Sequence, residues 1–134
     1  MNGEYKEDLP FGKGQMIVTA NNYHIQFYFQ GPDLRYNGTW IRISSSEIDS
    51  YIGAYQENWE KFKEMSSMQK KLGGELNADG KLNMRINVGG WANGICIRSY
   101  HMPLSSEKQI KSIIDSFNWA KNRGPEIKRF LKSL

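Results

Sequence analysis

The stretch from Ser44 to Leu72 constrains this chain more than any other. Ser44-Ser45-Ser46-Glu47 has the S-x-x-E spacing of a capping box, in which serine and glutamate side chains satisfy amides orphaned at a helix start. Ile48, Tyr51, Ile52, Tyr55, Trp59, Phe62 and Met65 then recur at helical spacing, and acids and lysines occupy the opposite side. The helix is expected to stop near Gln69–Leu72, before Gly73-Gly74. An amphipathic helix of this length must bury its stripe against something, and the flanking sequence offers strands.

Met16–Ala20 and Tyr23–Phe29 are β-rich runs separated by Asn21-Asn22, a pair that tolerates the backbone of a tight hairpin. One face of that hairpin carries Met16, Val18, Ile25, Phe27 and Phe29; the other carries Ile17, Thr19, His24, Gln26 and Tyr28. Gly31-Pro32-Asp33 ends the pairing, Asn37-Gly38 turns the chain, and TWIRIS supplies a third strand. Asp79-Gly80 makes another turn. Beyond it Leu82, Met84, Ile86 and Val88 alternate with polar residues, and Ile95 and Ile97 return. Ser105 is a candidate cap for a second helix, with Ile110, Ile113, Ile114 and Phe117 on one stripe. Gly124-Pro125 is expected to end it and to open a short third helix through Ile127, Phe130, Leu131 and Leu134.

The order read from the sequence is therefore β-β-β-α-β-β-α-α. The expected fold class is α+β: residues 15–134 form a single domain behind a flexible arm at 1–14. Its sheet is roughly five-stranded and mainly antiparallel, two hairpins plus one strand. Two long helices and a short C-terminal one pack on one face. The halves echo each other, with WIR and CIR on strands and Ser-Ser-Glu at both helix starts, but their apolar phasing differs.

At 134 residues the chain can bury a core without disulfides or metal, and its one cysteine cannot form an internal disulfide. No run of about 18 apolar residues offers a membrane span, and the acid- and glycine-containing N-terminus does not resemble a secretory signal. A cytoplasmic location is the expectation. The net charge of +4 is unevenly spread, with an acidic first helix and a basic C-terminal stretch. Such an excess fits ordinary solvated helix faces, and also a nucleic-acid or acidic-protein partner.

Motifs for chemistry are missing. Gly89-Gly90-Trp91-Ala92-Asn93-Gly94 leads into the strand-like Ile95-Cys96-Ile97, whereas a phosphate loop needs a lysine and a helix at that point. Cys96 and His101, if on one extended strand, lie about 16 Å apart on opposite faces, too far for nucleophile and base. Two histidines and one cysteine, widely spaced, do not make a metal site. Glu57, Glu60 and Glu64, interleaved with Lys61 and Lys63, read as a solvated face. The expectation is a non-enzymatic protein with no cofactor, no metal and no catalytic residue.

What remains is a surface. If Asn93-Gly94 is a two-residue turn, Leu82, Met84, Ile86, Val88, Ala92, Ile95 and Ile97 share a core face. Arg85, Asn87, Gly89, Trp91, Cys96, Arg98 and Tyr100 share the other, with a gap at the glycine. Trp40 and Arg42 offer a similar pair in the first half. Tryptophan, tyrosine and arginine dominate protein interfaces, so Arg85, Trp91, Arg98 and Tyr100, extended by Trp40 and Arg42, are the expected partner-binding residues. The leading reading is docking on a protein partner, of the inhibitor or immunity kind found in bacterial or phage systems. Two alternatives use the same features: single-stranded nucleic-acid binding by base stacking, and sequestration of a small ligand over the Gly89-Gly90 gap. A homodimer through this face is a further arrangement. The layout looks like that of small single-strand binders and of immunity proteins at the level of fold alone.

Overall fold

A computed structural model describes residues 3–29, 39–98 and 100–134. The order is β1 (Glu4–Asp8), β2 (Gly14–Thr19), β3 (Tyr23–Phe29), β4 (Thr39–Ser44), α1 (Ile48–Leu72), β5 (Leu76–Asp79), β6 (Arg85–Val88), β7 (Gly94–Ile97), β8 (His101–Leu104) and α2 (Glu107–Lys132). The class is α+β, as expected, but the single five-stranded sheet is replaced by two antiparallel sheets of four strands, β1-β2-β3-β4 and β5-β6-β7-β8. Three strands that the sequence did not disclose account for the difference: β1, within the segment read as an arm, β5 and β8.

The chain divides into two compact units, residues 1–49 with 112–134, and residues 50–111. Each unit thus pairs the sheet of one half of the sequence with most of the helix from the other half.

In the first unit, the expected core face of β2 and β3 forms: Met16, Val18, Ile25 and Phe27 are fully buried, joined by Ile41 and Ile43 of β4. The hairpin pairs Val18 with Tyr23, and Thr19 N–H donates to Asn22 O at 2.8 Å. The turn is therefore centred on Ala20-Asn21, one residue before the asparagine pair. That moves the register by two, so no side chain changes face. The turns expected at 31–33 and 37–38 lie outside the described residues. Helix α2 closes this core, where Phe117 meets Phe27 edge-on with ring centroids 6.1 Å apart.

Helix α2 runs unbroken through Pro125, so the short third helix does not exist as a separate element. Proline there removes one helical hydrogen bond, but Ile127 and Leu131 remain half-buried beyond it and that burial offsets the loss. Gly124 allows the approach: a Cβ on it would stand 2.5 Å from the Tyr23 ring. The cap of α2 falls at Ser106, not Ser105, with Ser106 Oγ accepting from Gln109 N–H at 3.2 Å.

In the second unit, Tyr55, Asn58 and Phe62 of α1 are buried, as are Met84 just before β6 and Ile86, Val88, Ile95 and Ile97 of the sheet. The expected capping interaction is present ahead of α1, where Glu47 Oε1 accepts from Ser44 N–H at 3.2 Å and from its hydroxyl at 2.8 Å. Helix α1 ends at Leu72, inside the expected window. Gly73 N–H donates to Gln69 O at 2.7 Å, and Gly73 and Gly74 both take positive φ. Leu82 departs from the expected core face. It sits at φ 58° in a tight turn and is 42% exposed, so the strand begins only at Arg85.

Candidate functional site

The register of β6 and β7 decides how the expected binding residues are presented. Arg85 pairs with Cys96, Ile86 with Ile95 and Asn87 with Gly94, so a longer connection replaces the two-residue turn at Asn93-Gly94. The shift is six residues, an even number, so the residues of the paired strands that were expected to share a face still do. What changes is Trp91. It leaves the sheet and stands on the connection, 75% exposed.

The glycines before it are spacers for the protein's own chain. A Cβ on Gly89 would lie 2.5 Å from Gly74 O, and one on Gly90 would lie 3.0 Å from Glu75 Oε1. Gly89 takes φ +85° and donates its N–H to Asn93 Oδ1 at 3.0 Å. The gap expected as a ligand-pocket floor is therefore filled from within.

Cys96 is also withdrawn. It is buried, its Sγ donates to Ala92 O at 3.3 Å, and Asn87 Nδ2 reaches the sulfur at 3.6 Å. Burial pushes the thiol up to about 11, away from the thiolate a nucleophile needs. His101 lies on β8, opposite Ile97, rather than further along the same strand as Cys96. Asn87 and Cys96, expected on an open face, thus belong to the interior.

Between β7 and β8 the chain reverses through Arg98, an exposed residue at φ +49°. Tyr100 N–H donates to Arg98 O at 2.9 Å, and His101 Nδ1 stands 3.2 Å from the same oxygen. The Tyr100 ring stacks on His101 at 4.5 Å and tilts toward Trp91 at 6.3 Å between centroids. A left-handed arginine is a strained conformation that the surrounding bonds must hold. Trp91 and Tyr100 therefore stand together, with the exposed Arg98 joined to Tyr100 through its backbone carbonyl, while Arg85 is engaged elsewhere, in an ion pair with Asp79 at 2.8 Å.

Trp40 and Arg42 lie on β4 of the first sheet. The register sets Asp8 beside Gln15, Gln15 beside Gln26 and Gln26 beside Arg42, a polar row across four strands. Next to it Tyr28 and Trp40 are direct cross-strand neighbours with ring centroids 5.0 Å apart. They line one side of an open pocket of about 640 Å³ that continues past Gly14 and Gln15 to Gly12, Lys13 and Asp8. This pocket was not legible in the sequence, because Asp8 and Gly12 fall in the segment read as an arm.

Among the described residues no helix is long and apolar enough to cross a membrane, and no group of three or more His, Cys, Asp or Glu is placed to hold a metal ion. Compared with known proteins, the chain matches no family model, no curated protein and no solved structure.

Proposed function

We propose that this protein acts by docking on a protein partner, in the manner of an inhibitor or immunity protein, rather than by catalysis. The observation that carries the reading is the Trp91 side chain, 75% exposed and tilted toward the Tyr100 ring, with the exposed Arg98 two residues before Tyr100 in the chain. A large aromatic held in water by a braced loop gains most when a partner covers it, and Trp, Tyr and Arg supply most interface hot spots. The buried, protonated thiol of Cys96 supports a role other than nucleophilic catalysis.

Part of the cationic set that the nucleic-acid reading uses is engaged in surface ion pairs. Backbone binding relies on cations free to replace counterions around phosphates. Here Arg85 is held by Asp79, Lys121 by Asp49 at 2.6 Å and Arg123 by Glu7 at 2.6 Å.

The test is capture from native extract with tagged protein, quantified for wild type and for the Trp91→Ala, Arg98→Ala double variant. Loss of about tenfold or more in the captured partner is expected, the size of a hot-spot deletion. Unchanged capture removes the patch from the function. Oligonucleotide anisotropy at low and high salt completes the experiment, since strong salt-sensitive binding would restore the alternative.

A further inference from the structure

We infer that the pocket on the first sheet is a second binding site, built for an extended, proline-rich peptide with a basic residue at one end. Its two aromatic walls come from adjacent strands, with Trp40 50% and Tyr28 40% exposed. The rings are tilted by 59°, so they present a ridged surface rather than one flat plate. Proline rings fit such surfaces, and a polyproline helix reaches the site already ordered, which lowers the entropic cost of binding.

Length agrees with this occupant. The pocket runs from Trp40 on β4 across β3 and β2 to Asp8 on β1, three inter-strand spacings. At about 4.8 Å each they span about 14 Å, the rise of about four to five residues of polyproline helix. A compact small ligand is usually enclosed over most of its surface. This site is an open trough on a sheet face, which suits a chain laid along it.

The polar groups give direction. Asp8 stands at the end remote from the aromatics, with its exposed carboxylate accepting from Gln15 Nε2 at 3.3 Å. It can meet an arginine or lysine flanking the prolines. Gln15 keeps a second N–H, and Lys13 has three ammonium donors; both can reach peptide carbonyls, which proline leaves without a competing amide. The site shares with the Trp91 patch only the premise that the protein binds other polypeptides. It is measured with variants that leave Trp91 and Arg98 intact, so either reading can fail alone.

The experiment is fluorescence anisotropy with a labelled peptide of consecutive prolines ending in arginine, titrated with the full chain. Saturable binding with a Kd of about 100 μM is expected for a short aromatic groove. Trp40→Ala should weaken it about tenfold, whereas Trp40→Phe, which keeps an aromatic wall, should retain most of it. Asp8→Asn should weaken the arginine-ended peptide and leave an uncharged proline peptide unaffected. Circular dichroism of each variant checks the fold, and both aromatics are exposed enough to be removed without unfolding. Equal binding of an alanine-substituted peptide, no saturation below about 1 mM, or indifference to Trp40→Ala would overturn the inference. So would a soluble saccharide competing for the pocket where the proline peptide does not.

Discussion

The side chain of Asn58 hydrogen-bonds both backbone groups of Lys81: its Nδ2 donates to the carbonyl at 3.2 Å, and its Oδ1 accepts from the amide at 2.8 Å. Asn58 is only 2% exposed and sits on α1, so one side chain fastens the helix to the turn that precedes β6. That turn holds two successive non-glycine residues, Leu82 and Asn83, at φ 58°. Left-handed residues cost roughly 1–2 kcal/mol each, and the Asn58 clamp helps to offset that strain.

Asn58→Ala is therefore expected to destabilise the protein by about 1–2 kcal/mol, because the part-buried Lys81 amide loses its acceptor while the Lys81 carbonyl keeps only its bond from Met84 N–H at 3.2 Å. Urea unfolding measures the loss. Hydrogen exchange should show the Lys81 amide among the most accelerated. Conversely, Leu82→Gly should raise stability by up to about 1 kcal/mol, since glycine adopts this backbone freely.

Two glycine substitutions should act in opposite directions. Gly94 opens β7 at φ +135°, and a Cβ there would lie 2.6 Å from Leu104 O on the neighbouring strand. Gly94→Ala forces either backbone to move and should cost about 3 kcal/mol or more. Gly53 lies inside α1, and a Cβ on it meets nothing within 4 Å. Gly53→Ala should stabilise by about 0.5–1 kcal/mol through helix propensity alone. Thermal melts of the two variants beside wild type check both signs.

Elements with a strong period were legible in the sequence, and elements held by pairing alone were not. Helix α1 showed itself through its cap, its stripe and its terminal glycines, and β2, β3 and β4 through β-branched and aromatic alternation. Strand β1 reads EYKED and β5 reads LNAD; both are short and polar and sit at sheet edges, where half the hydrogen bonds and little burial are needed. Strand β8 contains Pro103, which reads as a breaker but is tolerated on an edge. The candidate site divides the same way. Of the expected core face, Ile86, Val88, Ile95 and Ile97 are buried on the paired strands, because a register error of even size keeps them together, whereas Leu82 leaves that face. The exposure of Trp91 and the burial of Asn87 and Cys96 depend on how the 89–93 connection folds, which no local pattern encodes.

Stability should fall in acid in two stages. Burial, followed by the Arg42 charge, holds His24 below its usual 6.5, so the folded state favours the neutral ring. Its contribution is complete above about pH 6.5 and is lost as pH falls through the lowered value. Hydrogen bonding by Tyr5, then by Arg123, against the opposing effect of burial, holds Glu7 below 4.5, and its contribution is lost at correspondingly lower pH. Urea midpoints measured from pH 8 to pH 3 should decline across both windows. His24→Gln should remove the upper stage and Glu7→Gln the lower. A wild-type profile flat between pH 7 and pH 5 would contradict the placement of His24.

Cys96 provides a direct check on the folding of the 89–93 connection. Its sulfur is enclosed by the Ala92 carbonyl and the Asn87 amide, and burial raises the thiol to about 11. A thiol reagent at pH 8 meets two barriers, since the group is inaccessible and almost entirely protonated. The native protein should therefore react orders of magnitude more slowly than the unfolded chain, whose thiol has an ordinary value. Labelling should follow opening of the connection. Asn87→Ala removes the amide that favours the thiolate, so it should not speed the native reaction through ionisation, and any acceleration without a change of rate in denaturant would report opening of the connection. If native Cys96 reacts as fast as the unfolded chain, the connection does not close over it, and the Trp91 patch that the connection carries loses its support.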